Sequence, residues 1–232
     1  GIENAPGAGR TIVFDVGGGI NLNSKLGVTR DNITIAGQTA PGGGVGVKGH
    51  QFSVGADNII VRHMRFRPGK GAGRVDSISV SSGHDIIFDH ISAGFSYDEN
   101  ASANATSRGG VYNLTFQHSA IAYGLEDHSA GSLIQNVNNL SYHHNLYAHN
   151  KSRNPRAQAS GNYLRLDFVN NVMFNPQDRF GYNDSDDPYD VNLVGNYAIK
   201  GPKSNSNNYL FDSKDADSHY HVAGNFTDIE TL

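Results

Sequence analysis

The stretch Asn139 to Asn145, NLSYHHN, decides the fold, because its pattern is met again at a nearly constant interval in both directions. Upstream lie NLTFQHS from Asn113, DIIFDHI from Asp85, NIIVRHM from Asn58 and NITIAGQ from Asn32; downstream lie RLDFVNN from Arg165, DVNLVGN from Asp190 and HYHVAGN from His219. The start-to-start spacings are 26, 27, 28, 26, 26, 25 and 29 residues. Within each segment the second and fourth residues are apolar, as in Leu140 and Tyr142 or Ile86 and Phe88, which is the period of a strand with one buried face. A repeat of this length is too short for helical solenoids or four-stranded propeller blades. It fits a coil of three short parallel strands. The expected fold is all-β, a right-handed parallel β-helix of about eight to nine coils, forming one domain over residues 1–232.

The seventh position supports this. Asn145, Asn171, Asn196 and Asn225 share it in four successive coils, where stacked amides can donate and accept along the helix axis. TIVFDV, from Thr11 to Val16, reads as a further strand, and neither terminus reads as the cap that solenoids need, so an N-terminal capping segment is expected to be short, missing or supplied elsewhere.

Composition agrees. The 232 residues include 28 glycines and 25 asparagines, good turn formers and poor helix formers, and only 17% charged residues. The absence of Cys excludes disulfides, thiolate metal sites and cysteine nucleophiles. A net charge of −4 argues against a nucleic-acid partner. With no run of eighteen apolar residues, a membrane partner is not expected either. Gly1 to Arg10 lacks the basic and apolar segments of a signal peptide, so if the chain is secreted, its signal has been removed.

Stacked coils turn sequence distance into a surface, since equal offsets become neighbours roughly 4.8 Å apart. Counted this way, Asp76, Asp98 with Glu99, His128, and Arg153 with Arg156 form a strip with carboxylates at one end and guanidinium groups at the other. Asp76, Asp98, Glu99, Asn100 and Ser102 offer the oxygen ligands that a hard cation such as Ca²⁺ takes. AHNKSRNPRAQ, from Ala148 to Gln158, sets two arginines around an Asn-Pro pair and suits recognition of an anionic substrate. The adjacent His143 and His144 read as a strand pair pointing to opposite faces rather than as a metal site. Asn32, Asn113 and Asn139, each in an Asn-x-Ser/Thr sequence, are read as the starts of buried strands.

The segments ITIAGQTAPGGGVGVKG, NIIVRHMRFRPG, IIFDHISAGFSYDEN, GLEDHSAGSLI and LSYHHNLYAHNKSRNPR resemble the pectate lyase family from about Arg10 to Asn175. The resemblance implies a parallel β-helix and calcium-assisted β-elimination of polygalacturonate or pectin. It places Arg153, in an Arg-x-Pro pattern, as the base, and Asp76 and Asp98 as calcium ligands. A third calcium carboxylate of the family falls near Ser102, a weaker ligand that Glu99 or Asn100 could replace. A substrate-binding lysine falls near Ala130 and a second arginine near Gln158, leaving Lys151, Arg156 and His128 as the cations able to meet the substrate. The expectation is a secreted, monomeric lyase acting on pectic oligosaccharide. Two rivals stand beside it: a glycoside hydrolase on the same fold using Asp98, Glu99, Asp127 or Asp89, and a non-catalytic carbohydrate-binding β-helix.

Overall fold

A computed structural model describes residues 9–105, 110–125, 128–159, 164–205, 209–213 and 217–228. Every strand pairing within them is parallel, and the only helical pieces are two three-residue 3-10 turns, Gly37–Thr39 and Lys70–Ala72. The eight repeated segments all become strands of one sheet, here called sheet 1. Its register couples Ile33 to Ile59, Ile59 to Ile86, Ile86 to Leu114, Leu114 to Leu140, Leu140 to Leu166, Leu166 to Val191 and Val191 to Tyr220. These steps equal the spacings counted in the sequence. The chain is a parallel β-helix.

Each coil leaves sheet 1 for a strand of the nine-stranded sheet 2, such as Ser92–Gly94, Ala120–Ala122 or Leu146–Ala148. It then enters sheet 3, which contains Ala101–Asn104, Leu133–Gln135 and Arg156–Gln158, and returns to sheet 1. The long strand Ile78–Asp89 runs through both sheet 3 and sheet 1, joining them. Apolar positions from all three sheets meet in one core. Phe88, Phe116 and Tyr142 stack along its axis with centroids 4.5 and 5.0 Å apart.

The corners explain the unusual composition. Left-handed residues turn the chain at many of them, and such a conformation costs a residue with a side chain about 1–2 kcal/mol unless it is of a tolerant type such as Asn, Asp or His. Asn32, Asn58, Asp85, Asn113 and Asn139 make the turn into sheet 1, and His63, His90, His118, His144 and Asn170 make the turn out of it. Beside the second corner the expected ladder is present: the side-chain carbonyls of Asn145, Asn171, Asn196 and Asn225 accept backbone N–H groups of Ser119, Asn145, Asn171 and Asn196 at 2.8 to 3.0 Å. Their amide groups donate to the main-chain oxygens of Phe116, Tyr142, Phe168 and Leu193.

Three readings need correction. The first strand covers only Arg10–Ile12 rather than all of Thr11 to Val16, because Phe14 N–H donates to Thr39 Oγ1 at 2.8 Å and leaves the ladder. Asn32, Asn113 and Asn139 are exposed, not buried, since each takes a left-handed corner conformation, Asn32 just before its strand and Asn113 and Asn139 within theirs. There they form a second, outer ladder in which the amides of Asn58 and Asn113 donate to Asn32 and Asp85. His143 and His144 do not diverge either. The positive φ of His144 breaks strand alternation at that residue and brings the two Nδ1 atoms to 2.9 Å.

Candidate active site

The loops that carry each coil from sheet 2 to sheet 3 build the site. Phe95, Tyr123 and His149 each start one of them with a left-handed turn. Parallel bridges then couple Glu99 to Ala130 and Ala130 to Ser152, and the backbone N–H of Ser77 donates to the Glu99 carbonyl at 3.0 Å. Asp76, Asp98 with Glu99, His128 with Ala130, and Arg153 therefore occupy four adjoining levels of one wall.

The polar contacts on this wall are direct. Arg153 Nη1 is ion-paired with Glu99 Oε1, reaching over the level that holds Ala130. His128 Nε2 lies 3.0 Å from Asp98 Oδ1 and 4.0 Å from Glu99 Oε1. The Glu99 N–H donates to Asp76 Oδ1 at 3.1 Å, and Arg74 flanks Asp98 at 3.5 Å. The charges are thus interleaved rather than segregated into an acidic and a basic end. The methyl group of Ala130 is what leaves room for Arg153 to cross that level.

Burial drives the Asp76 carboxyl to a pKa of about 7, and the nearby Asp98 charge pushes the same way. A hydrogen bond with Ser102 and the Arg153 charge oppose the shift without cancelling it. The wall thus collects more negative charge than it neutralises. Asp76, Asp98, Glu99 and Ser102 present only oxygen donors, a set that fits a hard dication such as calcium better than a softer metal.

The other proposed binding residues face away from this cluster. Lys151 Nζ turns to Asp178 on the following coil at 4.0 Å. Arg156 Nε and Gln158 Nε2 converge on Asp184 Oδ1, at 2.9 and 2.8 Å, and the Arg156 guanidinium lies 5.9 Å from the Tyr182 ring centroid. Asp184 was not singled out in the sequence, since it lies in an acidic, turn-like stretch with no strand pattern. It neutralises much of the cationic surface expected there.

Asn100 is not a ligand on this wall. Its fully buried side-chain carbonyl accepts from Ser96 Oγ at 2.7 Å and its amide donates to Asn150 at 2.9 Å. Asn150 in turn donates to Asn154, and Asn154 to the Arg179 carbonyl, at 3.1 and 3.0 Å. This buried amide chain ties the residue after Glu99 to the residue after Arg153. Spacing within coils did not reveal it, because the partners lie at unequal offsets.

Asp89 lies on the opposite side of sheet 2 from these loops. Burial pushes its carboxyl up, but hydrogen bonds from Gln117, His90 and Arg62 outweigh this and hold it below the usual range. It belongs to a structural network and cannot be the second carboxylate of a hydrolase here. Asp127 lies outside the described residues.

Over 224 residues the chain is 40% identical to a probable pectate lyase C of Aspergillus flavus, covering 95% of the chain and 51% of that protein. This chain is a relative of the pectate lyases. A probable pectate lyase C of Aspergillus oryzae is 42% identical over 197 residues, covering 83% of the chain and 45% of that relative. The chain spans about half the length of these pectate lyase relatives. Among solved structures, a pectate lyase from Bacillus sp. N165 in complex with trigalacturonate shares the fold with a TM-score of 0.67 at 18% identity, covering 94% of this chain and 73% of that one. A pectate lyase bound to hexasaccharide has a TM-score of 0.58 at 16% identity, over 90% of this chain and 59% of that one. No family model matches the chain.

Proposed function

We propose that this chain cleaves polygalacturonate by β-elimination, with Arg153 as the base and calcium held by Asp76, Asp98 and Glu99 beside Ser102. The observation that carries the reading is the meeting of three carboxylates and Arg153 on adjoining levels of one wall. Relatives named pectate lyases support the substrate class. Calcium, when bound, supplies Lewis-acid polarisation of a sugar carboxylate and so eases loss of the adjacent proton.

The chain's own residues do the rest. Arg153, acting as base, accepts the C5 proton of a galacturonate unit, the C5–H electrons become the C4–C5 double bond, and the C4–O bond breaks. The departing oxygen takes a proton from solvent water, completing a 4,5-unsaturated end and a new reducing end. His128, beside Asp98 and partly exposed, borders the same wall and is positioned to meet an anionic sugar. Lys151, Arg156 and Gln158 lie on the same coil as Arg153, each already engaged by a carboxylate that substrate must displace or bypass. A polymer this large is met outside cells, and the three carboxylates and Arg153 all come from one chain, which fits a secreted, monomeric enzyme.

The test is incubation with polygalacturonate in calcium and then in EDTA, following the ultraviolet absorbance of the conjugated alkene. Signal with calcium and none with EDTA is expected. New reducing ends without absorbance would instead identify a hydrolase, and binding without either product a carbohydrate-binding β-helix.

A further inference from the structure

The corner between sheets 1 and 2 carries a column of imidazoles that the proposed chemistry does not use. His63, His90, His118 and His144 stack on successive coils with centroids 4.8, 5.0 and 4.9 Å apart. His143 stands beside the column, edge-on to both His118 and His144. One ring nitrogen from each of His118, His143 and His144 lies within 4.8 Å of the other two, and two of these residues are exposed.

The geometry points to a transition-metal site formed by His118, His143 and His144, taking a borderline dication such as Zn²⁺. Three imidazoles with a fourth, solvent-filled position is a common zinc ligand set, and such nitrogens sit about 2.0–2.1 Å from the metal, which places them roughly 3.4 Å from one another. The His143 and His144 Nδ1 atoms, 2.9 Å apart, need to open by about 0.5 Å to reach that value, and His118 offers a ring nitrogen within 4.8 Å of both residues' ligand atoms. Asn170 Nδ2 lies 3.4 Å from His144 Nε2, and a metal on Nδ1 requires this amide turned so that its oxygen accepts the Nε2–H. His90, whose Nδ1 lies 2.6 Å from Asp89 Oδ1, is not among the imidazoles whose nitrogens converge here. A metal here would clip the strands Val111–Gln117 and Val137–His143 together at their ends.

This site is independent of the lyase reading and is tested without activity. Wild-type protein titrated calorimetrically with ZnCl₂ should bind one ion at this corner, and its melting temperature should rise, because the ion binds only the folded chain. His118→Asn and His144→Asn are the informative variants. Asn170 occupies the same left-handed corner position one coil on, so the substitution preserves the turn. Each should weaken zinc binding at least about tenfold and remove the visible absorption band of bound Co²⁺, with the circular dichroism of the metal-free protein unchanged. Asp98→Asn with His128→Gln separates the other cluster, and should leave zinc binding intact. Absence of zinc binding, zinc binding that survives both corner substitutions, or zinc binding lost only with Asp98 and His128 would each overturn the assignment.

Discussion

Arg153 and Glu99, 54 positions apart in the chain, form an ion pair across the level of Ala130, with side chains only 16% and 6% exposed. Removing one partner of so enclosed a pair leaves a buried charge, a loss of about 3–5 kcal/mol. Arg153→Ala is therefore expected to unfold at lower denaturant as well as to lose activity. Arg153→Lys keeps the charge and separates the two effects. It should fold normally and turn over polygalacturonate about 10²–10⁴-fold more slowly, the usual contribution of a positioned base. Wild-type turnover in a folded Arg153→Lys protein would remove Arg153 from the reaction.

Ala130 occupies the level between Glu99 and Ser152. A lysine there adds a cation to a wall with excess negative charge and competes with Arg153 for Glu99. Ala130 is itself buried, so the lysine reaches the wall only by displacing Arg153 from Glu99, and the expected result for Ala130→Lys is a smaller kcat together with a KM for polygalacturonate lowered about two- to fivefold, the scale of a partly exposed ion pair. Initial rates over a range of polymer concentrations decide the matter, and an unchanged KM would show that substrate does not pass this level.

Asp76 should make the proposed calcium binding depend on pH. Its folded pKa of about 7 lies above the ordinary value of 3.8, so in the metal-free protein its contribution to stability is fully present below the lower value and is lost as pH rises through about 7. Calcium needs the ionised form, so apparent affinity should fall by up to about tenfold for each pH unit below 7. Calorimetric titration from pH 5 to 8 measures the slope. Asp76→Asn should flatten it, weaken calcium binding, and raise the stability of the metal-free protein above pH 7.

The inner asparagine ladder predicts where stability resides. Asn171 is fully buried, accepts the Asn145 N–H at 2.9 Å and donates to the Tyr142 carbonyl at 2.8 Å. Asn171→Ala leaves both main-chain groups without a partner, at a cost of about 2–4 kcal/mol. Asn139→Ala, on the exposed outer ladder, should cost well under half as much. Urea unfolding of the two variants compares them directly, and equal losses would contradict the distinction between the ladders.

Periodicity carried the fold into the sequence. The steps from Ile33 through Tyr220 could be counted without coordinates because a solenoid repeats one local rule: two inward apolar residues, one left-handed corner, one ladder asparagine. The same rule placed Asp76, Asp98, Glu99, His128 and Arg153 on a common wall, since in-register stacking preserves offsets. It failed where side chains reach across levels or where the backbone leaves the strand. Asn100 turned inward, Arg156 and Gln158 turned to Asp184, and His144 folded back on His143.

By itself, then, the sequence determined the winding, the core positions and which loops face one another, because these follow from hydrophobic period and repeat length. Tertiary structure alone decided which charge meets which. That Arg153 pairs with Glu99, that Asp76 is buried enough to hold its proton near neutrality, and that three imidazoles converge on one corner depend on side-chain direction and desolvation. Those are properties of neighbouring coils packed together, and no single stretch of chain encodes them.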